Sequence, residues 1–225
     1  QIIGPELRTP INSILGFSAL LNEESLTQTQ SEYLSTLKDN AYDLLSLLND
    51  LIEFVKIEKF ESATEISEIN IKQYFADILK LFENKVYRNR IEIISIIDKG
   101  LPESVKCNSQ KLQYIITNLI TTSLRLTERG KISISVFSPE KEKLSIRISD
   151  TGVGIASEKL KYIYTPFALT DQYITTVGNT TGLGLTLVNR YVNFLNGELD
   201  VTSTLGKGTT SNLSIPVEEI SIIEK

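Results

Sequence analysis

From Leu34 onward the apolar residues Leu34, Leu37, Ala41, Leu44, Leu48, Leu51 and Val55 are spaced 3, 4, 3, 4, 3 and 4 apart, with Asp, Glu, Lys and Asn between them. A strand repeats every second residue, so this spacing excludes sheet and predicts one long amphipathic helix over residues 30–58 whose stripe packs along another helix. Leu7, Ile11, Ile14, Ser18 and Leu21 keep the same rhythm on a shorter upstream helix. Between the two, residues 22–29 have no apolar periodicity beyond Leu26, and Ser25 or Thr27 can cap the second helix. The reading is an antiparallel helical hairpin. Two helices cannot bury their own seam fully, so the hairpin is expected to form a four-helix bundle on dimerisation. The alternative is a hairpin packed on the rest of its own chain, because heptads specify helix contacts but not which helices make them. At ~1.5 Å per residue, a second helix of ~29 residues outreaches a first of ~18 by roughly 15 Å. That mismatch suggests a piece of a longer protein, with the missing helical partner upstream of Gln1.

Beyond Ser62-Ala63-Thr64 the period changes to alternation. Strands are expected at 65–70, 91–97, 131–137, 144–149, 198–204 and 209–215. Helices are expected at 72–88, 109–126 and 183–195, the last stopped by Asn196-Gly197. Strands in runs with helices between them predict one mixed sheet with helices on one face. The expected organisation is a hairpin at residues 1–62 followed by an α/β sandwich at 63–225.

Composition narrows the chemistry. A net charge of -5 and a pI near 5.0 leave no basic stripe for a nucleic acid. No apolar run approaches ~18 residues, so no membrane contact by this segment is expected, and the start has no signal-peptide pattern. The single cysteine, Cys107, sits after Val105 and Lys106 at a strand end and reads as a small structural residue. The sequence has no histidine, which removes Ser-His-Asp and Cys-His catalysis, haem ligation and phosphohistidine formation within these residues.

Two glycine motifs remain. Asp150-Thr151-Gly152-Val153-Gly154-Ile155 follows a strand. Its glycines permit positive φ and close approach to a flat ligand, and its aspartate offers an acceptor for an exocyclic amine; a plain β-turn reads equally from the same residues. Thr181-Gly182-Leu183-Gly184-Leu185 opens a helix, whose first N–H groups suit a polyphosphate.

Taken together with the hairpin, these residues resemble the sensor histidine kinase family over nearly the whole chain. Glu6-Leu7-Arg8-Thr9-Pro10 is similar to the H-box, residues 111–113 through Asn118-Leu119-Ile120 to the N-box, Asp150 to Ile155 to the G1 box, Pro166-Phe167 to the F-box and Thr181 to Leu185 to the G2 box. The resemblance implies a dimerisation hairpin followed by an ATP-binding sandwich of the Bergerat (GHKL ATPase) type; the Hsp90 and gyrase families, with the same ATP fold, lack the hairpin. It implies nucleotide contacts from Asn118, Thr122 and Arg125, from Asp150, Gly152, Gly154 and Ile155, from Phe167, from Thr181, Gly182, Leu183 and Gly184, and from Thr209. It further implies a homodimer or a heterodimer with a related kinase, a response-regulator receiver domain as partner, and the cytoplasmic portion of a membrane-anchored bacterial sensor.

The pattern is also broken. Gly4-Pro5 stands where the family has Ser-His, so Pro5 occupies the acceptor position, and Gly4-Pro5-Glu6 reads as a helix start or a kink. The family's magnesium-ligand asparagine falls on Thr122, a shorter and poorer ligand, so the metal pair Asn118 and Thr122 is expected to hold Mg2+ weakly or not at all. Arg125 replaces a phosphate-contacting lysine and can still hold phosphate bidentately. Asn179 and Thr180 replace two lid glycines. The expectation is a degenerate kinase that binds ATP or ADP and dimerises but cannot phosphorylate itself. Alternatives are phosphorylation of a partner chain in trans, and a regulator phosphatase using Thr9 with Glu6 as base. In their plain readings Thr9 is a cap or kink residue beside Pro10 and Glu6 a solvated helix carboxylate.

Overall fold

The computed structural model describes residues 3–22, 24–59, 65–83, 91–166 and 182–219. The chain divides into two compact units, one within residues 1–61 and the other within 62–225.

The first unit is a hairpin of α1 (Ile3–Leu21) and α2 (Gln28–Lys59). A reciprocal cap sets the start of α2: Thr27 N donates to Gln30 Oε1 at 2.9 Å and Gln30 N donates to Thr27 Oγ1 at 3.3 Å. The helix therefore begins two residues before the expected position. Ile11, Ala41 and Leu48 form the core, with Leu15, Leu45 and Ile52 packed against it. Near the start of α1, Arg8 Nη2 donates to Asn49 Oδ1 late in α2 at 2.8 Å, as an antiparallel pair requires. Pro10 lies inside α1 and has no N–H for the Glu6 carbonyl, one lost helical bond. Pro5 falls in the first described turn of α1.

The heptad stripe divides between two faces. Leu34, Ala41 and Leu48 are buried, whereas Leu37, Leu44, Leu51 and Val55 are 57%, 51%, 42% and 45% exposed. One helix partner covers only one half of a 3,4 repeat; the other half stays in solvent within this chain.

The second unit holds two sheets, where the sequence suggested one. β1 (Ser67–Asn70) and β3 (Ser104–Cys107) pair antiparallel, and β8 (Glu218–Glu219) adds to β3. The larger sheet contains β2 (Ile91–Ile97), β4 (Gly130–Phe137), β5 (Lys143–Asp150), β6 (Glu198–Thr204) and β7 (Gly208–Pro216) in the order β2-β4-β5-β7-β6. Only β2 and β4 run parallel. The short strands β3 and β8 escape a reading by alternation because four residues or fewer carry almost no period.

Helices α3 (Ile71–Lys80) and α4 (Ser109–Leu126) are each started by an asparagine side chain, Asn70 accepting from Gln73 N and Asn108 from Lys111 N, both at 3.0 Å. The expected helix over 72–88 stops at Lys80, and residues 84–88 of that expectation lie outside the described residues. A single turn, α5 (Ser157–Leu160), precedes α6 (Gly184–Phe194). Alternation in the strands does the layering. Ile132, Ile134 and Val136, Leu144, Ile146 and Ile148, and Leu213 and Ile215 are buried with Leu112, Ile115, Ile116 and Leu119 of α4 and Leu187, Val188 and Val192 of α6. The opposite sheet face is polar, with Arg147 Nε donating to Asn212 Oδ1 at 2.8 Å across β5 and β7.

The candidate nucleotide site

Sheet register places the acidic residue of the first glycine motif. Asp150 ends β5 opposite Ile132, and the neighbouring pair Ser149 and Thr210 brings Thr209 of β7 beside it. Its Oδ1 accepts from Gly152 N at 2.9 Å and Thr209 N at 3.1 Å, and its Oδ2 accepts from Ser123 Oγ of α4 at 3.1 Å. Asp150 is 4% exposed. Burial pushes its carboxyl above the usual range while the hydrogen bonds from Gly152, Thr209 and Ser123 pull it back, and burial prevails. A carboxylate offers about four lone-pair sites, so one remains on Oδ2 for a further donor.

The glycines are also required by the packing of the loop itself. A Cβ on Gly152 would strike the Leu126 carbonyl, and Val153 N donates to that same carbonyl at 3.0 Å, stitching the loop to the end of α4. Gly154, at φ +69°, has no room for a Cβ against the Thr204 carbonyl, and Gly208, at φ +102°, none against that of Asp150. These positions need glycine because the chain's own backbone fills the space a Cβ would take. The loop is closed by Ser203: its Oγ accepts from Ile155 N at 2.7 Å, donates to the Gly208 carbonyl at 2.8 Å and lies 2.9 Å from Thr209 Oγ1. Ser203 has one hydroxyl proton, spent on Gly208, so Thr209 donates to it and the Thr209 oxygen keeps only lone pairs for a visitor.

On α4, Asn118, Thr122 and Arg125 are half-buried, and Thr122 Oγ1 donates back to the Asn118 carbonyl at 2.9 Å. Gly184 starts α6 against Asn118, whose Oδ1 lies 2.6 Å from where a Gly184 Cβ would stand. Leu183 is the N-cap of α6, and its side chain makes no cap hydrogen bond. Thr186 Oγ1 holds the approach, donating to the Tyr164 carbonyl at 3.0 Å, and Gly182 turns at φ +66°. Ile155 and Leu183 are buried core residues. Glu6 and Thr9 are exposed on α1. Phe167 and Thr181 lie outside the described residues.

The fold thus joins Asp150, Gly152 and Thr209 directly, and Asn118 with Gly184. Ser123 and Ser203 were missed by sequence reasoning, because a serine in a helix or strand carries no signal until a partner distant in sequence meets it. For adenine the acceptor set fits: Asp150 and Thr209 keep oxygen lone pairs that an exocyclic amine could meet. For magnesium, Asn118 and Thr122 supply one amide and one hydroxyl oxygen with no carboxylate.

Residues 107–219 match the family described as histidine kinase-, DNA gyrase B- and HSP90-like ATPase, a class defined by this sandwich. Residues 5–60 match the His Kinase A (phospho-acceptor) domain, and with both segments in order the chain belongs to the histidine kinase family. It is 30% identical over 214 residues to sensor protein GacS of Pseudomonas syringae, covering 93% of this chain and 24% of that protein. It is 31% identical over 209 residues to the signal transduction histidine-protein kinase BarA of Escherichia coli K12, covering 91% and 23%. The chain therefore spans about a quarter of the curated relatives it matches. Among solved structures it resembles full-length ShkA in complex with AMPPNP, with a TM-score of 0.76 at 25% identity over 97% of this chain and 45% of that one. The Acinetobacter baumannii histidine kinase AdeS shares the fold, with a TM-score of 0.64 at 22% identity over 94% and 96%. No helix of the described residues is long and apolar enough to cross a membrane.

Proposed function

We infer that this chain is the nucleotide-binding and dimerising core of a two-component sensor kinase that has lost its own phosphoryl acceptor. The observation that carries the nucleotide reading is the Asp150 carboxylate, clamped by Gly152, Thr209 and Ser123 with one acceptor position left. An adenine amine would fill that position. The start of α6, with its helix dipole, and Arg125 would meet the phosphates. Bound ATP supplies a transferable phosphoryl group; Pro5, in the family's acceptor position, offers nothing to receive it, and these residues contain no histidine at all. Binding without strong metal dependence and without autophosphorylation follows.

The exposed half of the α2 stripe supports dimerisation through a second hairpin, of this chain or of a related kinase, and a response-regulator receiver domain is the partner the family suggests. The test is calorimetric titration with ATP, with and without Mg2+, using Asp150→Asn as control. Binding lost in the variant and indifferent to Mg2+ is the expected result. No binding at about millimolar ATP, a free energy near -4 kcal/mol, would end the nucleotide reading.

A further inference from the structure

Asp150 is held on two sides for different reasons. The Gly152 and Thr209 amides reach Oδ1, and they would bind any carboxylate or amide oxygen there because the strand and loop geometry fixes them. Among the described residues, Oδ2, the oxygen with an acceptor position left, is reached from α4 by Ser123 Oγ at 3.1 Å, with Ser123 itself 6% exposed. The packing of α4 against β5 thus brings Ser123 to this oxygen. Without Ser123 the planar carboxylate would be held through Oδ1 alone, and Oδ2 would lose the donor that holds it among the described residues.

We propose that Ser123 is a positioning residue for base recognition, fixing Asp150 Oδ2 so that its remaining lone pair selects a purine with a 6-amino group over one with a 6-oxo group. This rests on the nucleotide reading above and deepens it. A 6-amino group donates to the aimed oxygen. A 6-oxo group opposes an acceptor to an acceptor and leaves the buried carboxylate unpaired, the kind of mismatch that discriminates strongly. Among the described residues, Ser123 from α4, the Gly152 and Thr209 amides and Ile132 across on β4 face the carboxylate. The causes of its shift are burial and the hydrogen bonds from Gly152, Thr209 and Ser123. The Ser123 hydrogen bond also opposes the upward effect of burial on the carboxyl.

The experiment titrates wild type, Ser123→Ala and Ser123→Thr with ATP and with inosine triphosphate, across a range of acidic to neutral pH. Wild type should prefer ATP. Ser123→Ala should lower ATP affinity about tenfold while leaving inosine triphosphate within about twofold, so the preference collapses. Its ATP binding should also fail at a higher pH than in wild type, because removal of the donor leaves the carboxyl easier to protonate. Ser123→Thr, which keeps the hydroxyl, should restore selectivity. Equal losses for both nucleotides, or an unchanged ATP preference and pH profile in Ser123→Ala, would overturn the proposal while the nucleotide reading stands. Wild type binding neither nucleotide would overturn both.

Discussion

Gly154→Ala separates the two explanations of the glycine-rich loop. The residue sits at φ +69°, and an added Cβ would meet the Thr204 carbonyl, with the Gly208 carbonyl 3.2 Å away. The left-handed backbone alone costs an alanine about 1 kcal/mol. Displacing a carbonyl held inside the β6–β7 turn adds about 2 kcal/mol, the scale of overpacking. Gly206 is the internal control: its φ is +76°, yet a Cβ there meets nothing within 4 Å, so it bears the backbone cost alone. With a urea slope of about 2 kcal/mol per M, the unfolding midpoint of the second unit should fall by about 1.5 M in Gly154→Ala and about 0.5 M in Gly206→Ala. The measurement is equilibrium urea unfolding without nucleotide, followed by far-ultraviolet circular dichroism. If Gly154→Ala unfolds no earlier than Gly206→Ala and loses only nucleotide affinity, the glycine exists for the ligand and the packing explanation fails.

Further outcomes follow from burial and charge. Thr127 is 1% exposed and its Oγ1 finds no partner among the described residues. Thr127→Val should therefore be neutral or stabilise by up to about 1 kcal/mol, and a loss of more than that in urea unfolding would reveal a hidden partner. Burial raises the Asp150 carboxyl in the folded state. Its contribution to stability is full below the ordinary aspartate value of about 3.9 and is lost as pH rises through the raised one. Asp150→Asn should thus gain on wild type in unfolding experiments as pH rises from acidic to neutral; a gap independent of pH would contradict the direction of the shift. In the hairpin, buried Leu48→Ala should cost about 2–5 kcal/mol of stability. Exposed Leu44→Ala should spare the fold and weaken self-association about tenfold or more in sedimentation; equal effects of the two would mean that the stripe does not divide as described.

Much of the hairpin was legible because its signals are local. The 3,4 spacing needs only neighbouring residues, and so does Thr27-Gln28-Thr29-Gln30, whose reciprocal bonds start α2 within one turn. Strand alternation likewise exposed the long strands β4, β5, β6 and β7, and Asn70 and Asn108 start their helices from inside the segment they cap. Which half of the heptad would face α1 was not legible, since the repeat is the same for both halves and only the partner helix breaks the tie.

The sequence by itself determined the two building plans, helical stripe and alternating strands, the absence of histidine and the order of the glycine motifs, because each is a property of residues close together along the chain. Tertiary structure alone decided that the alternating strands form two sheets, that the glycines of the loop make room for backbone, and that Ser123 meets Asp150 across 27 residues. Those outcomes depend on which surfaces exclude water together and which carbonyls then come within reach. No local period encodes such a meeting, because the free energy that selects it is released only when the packed layers close.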